Sequence, residues 1–205
     1  AAPTCAPCHM SGTLKQPVTH DVGARISWTL RPPISKFKPE WQKRRRNMQD
    51  VCLACHGQAW VDGHYRQFDG VVHLYNEKFA RPATEIMKLV KEKKLLENPA
   101  AFSNKLEWEY WELWHHEGRR ARHGASMMGP DYTWWHGIYD VAHTFYFKLL
   151  PEARKLEDPD VDALIARIMA TPEHAWFNRP TAEIKKDIKD GKLQEIYRDY
   201  FRAER

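Results

Sequence analysis

The chain has 205 residues, 42% of them hydrophobic, and a formal net charge of +5. That length suffices for one ordinary domain or a fused pair with a buried core, and no run is apolar or long enough to span a membrane. The positive charge is too dispersed for a nucleic-acid arm, and its one run, Lys43-Arg44-Arg45-Arg46, reads as a solvated helix face or a partner for carboxylates. The apolar content is spent on rings, with nine Trp, eight Tyr and eight Phe, which either fill a core or pack against something flat.

In chain order, residues 1–37 read as loop and short turns, with Pro17, Pro32 and Pro33 as punctuation. They open on Cys5-Ala-Pro-Cys8-His9, so near the first residue that a leader or a larger part of the polypeptide is expected upstream. From Pro39 a helix is predicted over Glu40 to Cys55, delivering Cys52-Leu-Ala-Cys55-His56 at its C-terminal end. A second runs from about Val61 to Phe79, with Trp60, His64, Phe68, Val72 and Phe79 near one face. Pro82 should interrupt or kink it, with helix resuming over Ala83 to Leu96. Ser103 is the expected N-cap of a ring-rich helix reaching His123, and Gly124 to Pro130 is a break. From Asp131, Tyr132, His136, Tyr139, His143, Tyr146 and Leu150 recur in steps of four and three, the cleanest helical pattern in the chain. Two amphipathic helices near 160–170 and 181–202 complete an all-α fold, with no strand run and no repeat. The motifs suggest a dihaem-binding segment over 1–58 and a C-terminal helical domain over 59–205.

All four cysteines fall in the two C-x-x-C-H motifs. Thiols at i and i+3 can add across the two vinyl groups of one porphyrin, and the adjacent histidine can then ligate the iron. Two covalent haems c are therefore expected, on Cys5, Cys8, Cys52 and Cys55, with His9 and His56 as proximal ligands. Two thiol pairs could also hold zinc, but the 43 residues between Cys8 and Cys52 are long for a compact zinc module. Redox dithiols of the thioredoxin kind sit in a βαβ context that is missing here. A histidine directly after both pairs, with no odd cysteine, favours haem. Such attachment takes place outside the bacterial cytoplasm, so a periplasmic or equivalent compartment is expected.

Eleven histidines exceed the two proximal ligands, and an electron-transfer haem usually takes a second axial histidine. His20, in a loop after the first motif, His116 and His123, seven apart, and His136, between bulky rings, are the favoured distal candidates, with His64 in reserve. His73, His115 and His143 are further candidates; His174, in a Pro-bounded turn, is expected at the surface. The plainer alternative for any of them is a satisfied polar residue. Arg119, Arg120 and Arg122 could pair with haem propionates or stay solvated.

Three stretches carry a resemblance: Thr19-His20-Asp21-Val22-Gly23-Ala24-Arg25, Leu74-Tyr75-Asn76-Glu77-Lys78-Phe79, and above all Trp114-His115-His116-Glu117-Gly118-Arg119-Arg120-Ala121-Arg122-His123-Gly124 with Met127 through Gly137. They resemble the C-terminal part of octahaem hydroxylamine oxidoreductases, a family that includes hydrazine dehydrogenases. The likeness covers most of the chain, is most specific around 108–147 and thins after about residue 155. It implies a multihaem cytochrome fold whose long helices form a C-terminal bundle, with these two haems as the last of eight, and a homotrimer. It implies a small nitrogen substrate oxidised at one special haem, and a redox partner cytochrome that receives the electrons. It also implies a tyrosine bonded covalently to the catalytic haem of a neighbouring subunit. Tyr132 is the choice for that tyrosine and Tyr139 the runner-up, against an ordinary buried tyrosine. The other haem motifs and the substrate-side residues are not in this sequence, so the catalytic haem is expected outside it. The competing expectations are a dihaem electron carrier with no substrate site, and a relative without the crosslink that reduces nitrite or hydroxylamine.

Overall fold

The computed structural model describes residues 3–201, and these are predominantly helical, with irregular segments and no strand among them. The all-α expectation holds. No helix among the described residues is long and apolar enough to cross a membrane. The chain divides into two units between Arg66 and Gln67, and helix α3 (Gln58–Tyr75) carries it across the division.

The first unit has little apolar core. Among its described residues only Trp28, Leu30, Val61 and Tyr65 are buried hydrophobics. Polar contacts and stacked rings take up the work of holding it together. Helix α1 (Cys5–His9) packs on α2 (Trp41–Cys52), which begins after Glu40 in a left-handed conformation, φ 54°. Arg25, 3% exposed, donates to the carbonyls of Cys8 (2.9 Å) and Ser11 and to Gln16 Oε1 (3.1 Å). Gln16 in turn donates to Asn47 O at 2.7 Å and Asp50 Oδ2 at 3.2 Å on α2, and Thr13 donates to the same carboxylate. A stub of paired backbone, where Trp28 bridges Phe37, is locked to α2 by the Trp28–Phe37 and Phe37–Trp41 stacks at 3.7 and 4.1 Å.

In the second unit, α3 does not stop at the expected kink. It passes through a π-helical stretch, Asn76–Ala80, into α4 (Arg81–Glu92), with Pro82 in the first turn of α4. A π turn holds an extra residue, so the ladder is already re-registered where Pro82 lacks its N–H. The same device recurs after α5 (Lys105–Trp111), at Glu112–Glu117 before α6 (Gly118–Ser126). It recurs twice more in the last long helix, where α7 (Pro130–Thr133), α8 (Asp140–Thr144) and α9 (Leu150–Arg154) are joined by π stretches Trp134–Tyr139 and Phe145–Leu149. The expected N-cap shifts by one: Asn104 precedes α5, while Ser103 Oγ donates to the carbonyl of Ala100 at 2.5 Å.

Phe79, Ile86, Leu113, Val141, Phe145, Leu149 and Ile165 are buried almost completely and form the core of this unit. α4 packs on α5 and on α10 (Pro159–Met169), whose N-terminus is capped by the Asp158 carboxylate accepting from Asp160 N and Val161 N. The helix expected over 181–202 is two, α11 (Thr181–Lys189) and α12 (Lys192–Arg198), separated at Gly191, where φ is +76°. Positive φ ends a helix at no steric cost only for glycine. The part of that expectation beyond residue 201 lies outside the described residues.

His174 departs from expectation. It is 2% exposed, not at the surface, and its Nδ1 shares a hydrogen bond with Tyr146 Oη at 2.7 Å. Burial pushes its pKa down to about 4, with Lys78 adding to the shift, so the ring is neutral. Lys78 Nζ donates to Tyr197 Oη at 2.6 Å and faces the rings of Phe79, Trp176 and Tyr197. These buried polar contacts fasten the C-terminal segment to the helical core.

Candidate cofactor-binding site

Each C-x-x-C-H motif is shaped by its own backbone. In the first, the N–H groups of Met10 and Ser11 both return to Ala6 O, at 2.8 and 3.1 Å, closing one helical turn around Cys5, Cys8 and His9. Cys5 is exposed and Cys8 half-buried. His9 Nδ1 lies 3.1 Å from Val22 O. A carbonyl only accepts, so Nδ1 carries the proton and the lone pair lies on Nε2, the tautomer an axial ligand requires. The Asp21 side chain, accepting from Gly23 N at 2.9 Å, shapes the turn that brings Val22 there. His20 sits on that turn, exposed.

The second motif straddles a helix end. Cys52 is the last residue of α2, and its carbonyl accepts from Cys55 N (3.1 Å) and His56 N (2.9 Å). Residues 53–60 are all exposed. The His56 ring stacks on Trp60 with centroids 3.7 Å apart and planes 10° apart. α1 and α2 pack on each other, which makes the two motifs neighbours although far apart in sequence, and burial, with the Cys8 sulfur adding to it, pushes the Cys52 thiol up. No disulfide joins the four cysteines, and no three His, Cys, Asp or Glu among the described residues converge as a zinc ion would require.

The basic run between the motifs splits by role. Arg44 donates to the carbonyls of Pro39 (2.9 Å) and Gly23 (3.0 Å), and Arg45 lies over Trp41 and Tyr65, while Lys43 and Arg46 are exposed.

In the second unit the expected distal histidines differ in setting. His123 Nδ1 lies 2.8 Å from Arg119 O, which fixes the proton there and the lone pair on Nε2, as at His9. His116 is exposed, with Nε2 3.9 Å from Glu112 Oε2 and its ring edge-on to Trp111 at 4.5 Å. His136 is exposed beside Tyr132, ring centroids 6.2 Å apart, with Nε2 3.6 Å from Asp131 Oδ2. His64, in the first unit, faces Trp60 at 6.3 Å.

Tyr132 and Tyr139 are not buried tyrosines: 58% and 59% of their surface is exposed. They belong to a stripe with Trp135, His136, His143 and Phe147, all exposed, whereas Tyr146 and Leu150 of the expected single face are buried. The split falls at the second π stretch, Phe145–Leu149, which admits an extra residue and turns the sequence there, so one periodic pattern is divided between core and surface.

The arginines expected at propionates are engaged within the protein. Arg122, fully buried, donates to Gly118 O at 2.8 Å and lies 4.2 Å over the Tyr75 ring. Arg120 pairs with Asp140 at 3.3 Å, and Arg119 Nη1 meets His115 Nε2 at 2.9 Å. Glu117 went unnoticed in the sequence. It is 5% exposed, accepts from Thr144 Oγ1 at 2.7 Å, and burial pushes its carboxyl up to about 7. Trp60 was visible as a ring on a helix face, but its i+4 spacing from His56 was the better signal.

Compared with known proteins, the chain matches no family model, no curated protein and no solved structure.

Proposed function

We propose that this chain carries two covalent haems c and serves as the electron-relay, C-terminal part of a hydroxylamine oxidoreductase-like multihaem enzyme. The observation that carries the reading is the pair of C-x-x-C-H motifs, with His9 Nδ1 bound to Val22 O so that Nε2 keeps the lone pair a ligand would need. The sparse core of the first unit supports it. A unit of that size that buries four large apolar side chains needs a staple, and covalent cofactors are one. When bound, the haems supply one-electron chemistry. Cys5, Cys8, Cys52 and Cys55 would hold them, His9 and His56 would ligate them, and Arg25 fastens the loop of the first motif to α2.

The finer reading concerns Tyr132, with Tyr139 next. The exposure of Tyr132 suits a residue that reaches a neighbouring subunit's haem, and His20, His116, His123 and His136 remain the proposed distal ligands. Homotrimeric assembly, oxidation of hydroxylamine or hydrazine, a cytochrome partner and a periplasmic setting belong to the same proposal. The alternatives are a dihaem electron carrier and a reductive relative without the crosslink.

Mass spectrometry of the chain matured with the c-type haem machinery tests the first claim, with two covalent additions expected and none overturning it. Reduced spectra of the intact source protein test the second. A red-shifted haem band that disappears in Tyr132→Phe supports the crosslink, and ordinary c-type bands alone sink the oxidative reading.

A further inference from the structure

The positive charge of the chain is concentrated in one unit. Ten of the 32 Lys and Arg, but only four of the 27 Asp and Glu, fall in residues 1–66, so the whole excess of +5 and one charge more resides there. The four acidic residues are spent locally. Asp50 accepts from Thr13 and Gln16, Asp62 from Gln58 (2.7 Å) and Asp21 from Gly23 N, and Glu40 lies 4.0 Å from Lys43. Five of the basic residues have partners as well: Arg25 and Arg44 on backbone carbonyls, Arg45 on stacked rings, Lys15 at 3.4 Å from Asp50, and Lys43 loosely on Glu40.

A platform of paired backbone and stacked rings carries four of the basic residues. Thr29 N donates to Lys36 O and Lys38 N to Ser27 O, both at 2.8 Å, and this stub is fixed to α2 by the Trp28, Phe37 and Trp41 stack. Lys36 and Lys38 flank Phe37 on the stub, and Lys43 and Arg46 follow one turn apart on α2. Lys36, Lys38 and Arg46 have no carboxylate within ion-pair distance among the described residues. The same helix ends at Cys52 in the second motif.

We propose that this stub and α2 form the docking surface for an acidic electron-transfer protein, which exchanges electrons with the haem pair of this unit. The inference rests on the haem reading above and adds where the partner binds and what charge it bears. A predominantly positive face beside the redox centre raises the encounter rate with an oppositely charged partner, and salt abolishes that gain. In each exchange one electron passes between the chain and its partner, with no bond made or broken and no proton moved.

The test is stopped-flow oxidation of the reduced, haem-loaded protein by hexacyanoferrate(III), which gains one electron to become hexacyanoferrate(II), and by the cationic tris(phenanthroline)cobalt(III). At about 10 mM salt the anionic oxidant should react faster, and its rate should fall about tenfold towards 0.3 M, while the cationic oxidant gains or holds. Replacing Lys36, Lys43 and Arg46 together by Glu should remove that preference. The equal charge change Lys185→Glu, Lys186→Glu and Lys189→Glu, at exposed positions in the second unit, should leave the anionic rate within about twofold. Poly-L-glutamate should slow the anionic reaction by covering the face. A salt-independent rate, or an equal loss in the second triple variant, overturns the proposal. So does a DNA duplex that competes better than poly-L-glutamate at equal charge, which would assign the face to nucleic acid. A chain that acquires no haem overturns the underlying reading instead, and mass spectrometry before the kinetics separates the two results.

Discussion

At Glu117 a single side chain links burial to pH. The carboxyl is held by Thr144 and enclosed by the core, with Asp140 and Glu112 raising its pKa further and Lys148 opposing them. Its folded pKa of about 7 lies above the ordinary 4.5, so the folded state keeps a proton that the unfolded state has lost. Stability attributable to this group is therefore full below about pH 4.5 and declines as pH rises to about 7, by about 2–3 kcal/mol in all. Glu117→Gln keeps an acceptor for Thr144 and removes the titration. Its stability relative to the parent should rise by that amount between pH 5 and pH 8 in urea unfolding, and a constant difference would show that the carboxyl is not titrating in that range. At Trp60 the proposed function gives a second expectation. The ring holds the His56 imidazole plane, so in haem-loaded protein Trp60→Leu should move the EPR g-values of one low-spin haem and leave the other, set by His9 and Val22, in place. Two unchanged signals would mean that the stack does not orient His56.

Helix crossings explain the glycines in the stretch that carries the resemblance. A Cβ on Gly118 would lie 2.6 Å from Tyr75 Oη, one on Gly124 2.7 Å from Thr133 N, and one on Gly137 2.6 Å from Ala121 Cα. Glycine is a condition of close packing between α6 and α3 at Gly118, and between α6 and the helix that begins at Pro130 at Gly124 and Gly137. Gly137→Ala meets backbone on both sides and should cost about 1–3 kcal/mol, a lowering of the melting temperature by some 2–4 °C per kcal/mol. An unshifted calorimetric transition would count against so tight a crossing. The long helices themselves were legible from periodicity, but their phase was not. The steps from Tyr132 to Leu150 predicted one face, and the π stretch at Phe145–Leu149 turns it, leaving Tyr139 exposed and Tyr146 buried. A π turn closes one residue later than an α turn for reasons of tertiary fit, and hydrophobic spacing alone does not register that choice.

Over the whole molecule, the two units are held by different forces. The second unit contains most of the buried apolar side chains, whereas the first relies on Arg25, Gln16 and Asp50, three stacked rings and, in the proposed function, covalent haem. Replacing Cys5 and Cys8 by Ala should therefore strip amide protection from residues in the first unit under hydrogen exchange and leave α4, α5 and α10 protected. Uniform loss through both units would mean that they unfold as one. The sequence by itself determined the two C-x-x-C-H motifs, the helical class and the ring-rich segments, because thiol spacing, prolines and 3.6-residue periodicity are local properties. Only the tertiary structure decided that His174 is interior, that Arg122 serves Tyr75 rather than an external carboxylate, and that Tyr132 and Tyr139 stand exposed. Each of these depends on which distant side chains arrive at the same place, and that is settled by packing and by where the π turns fall.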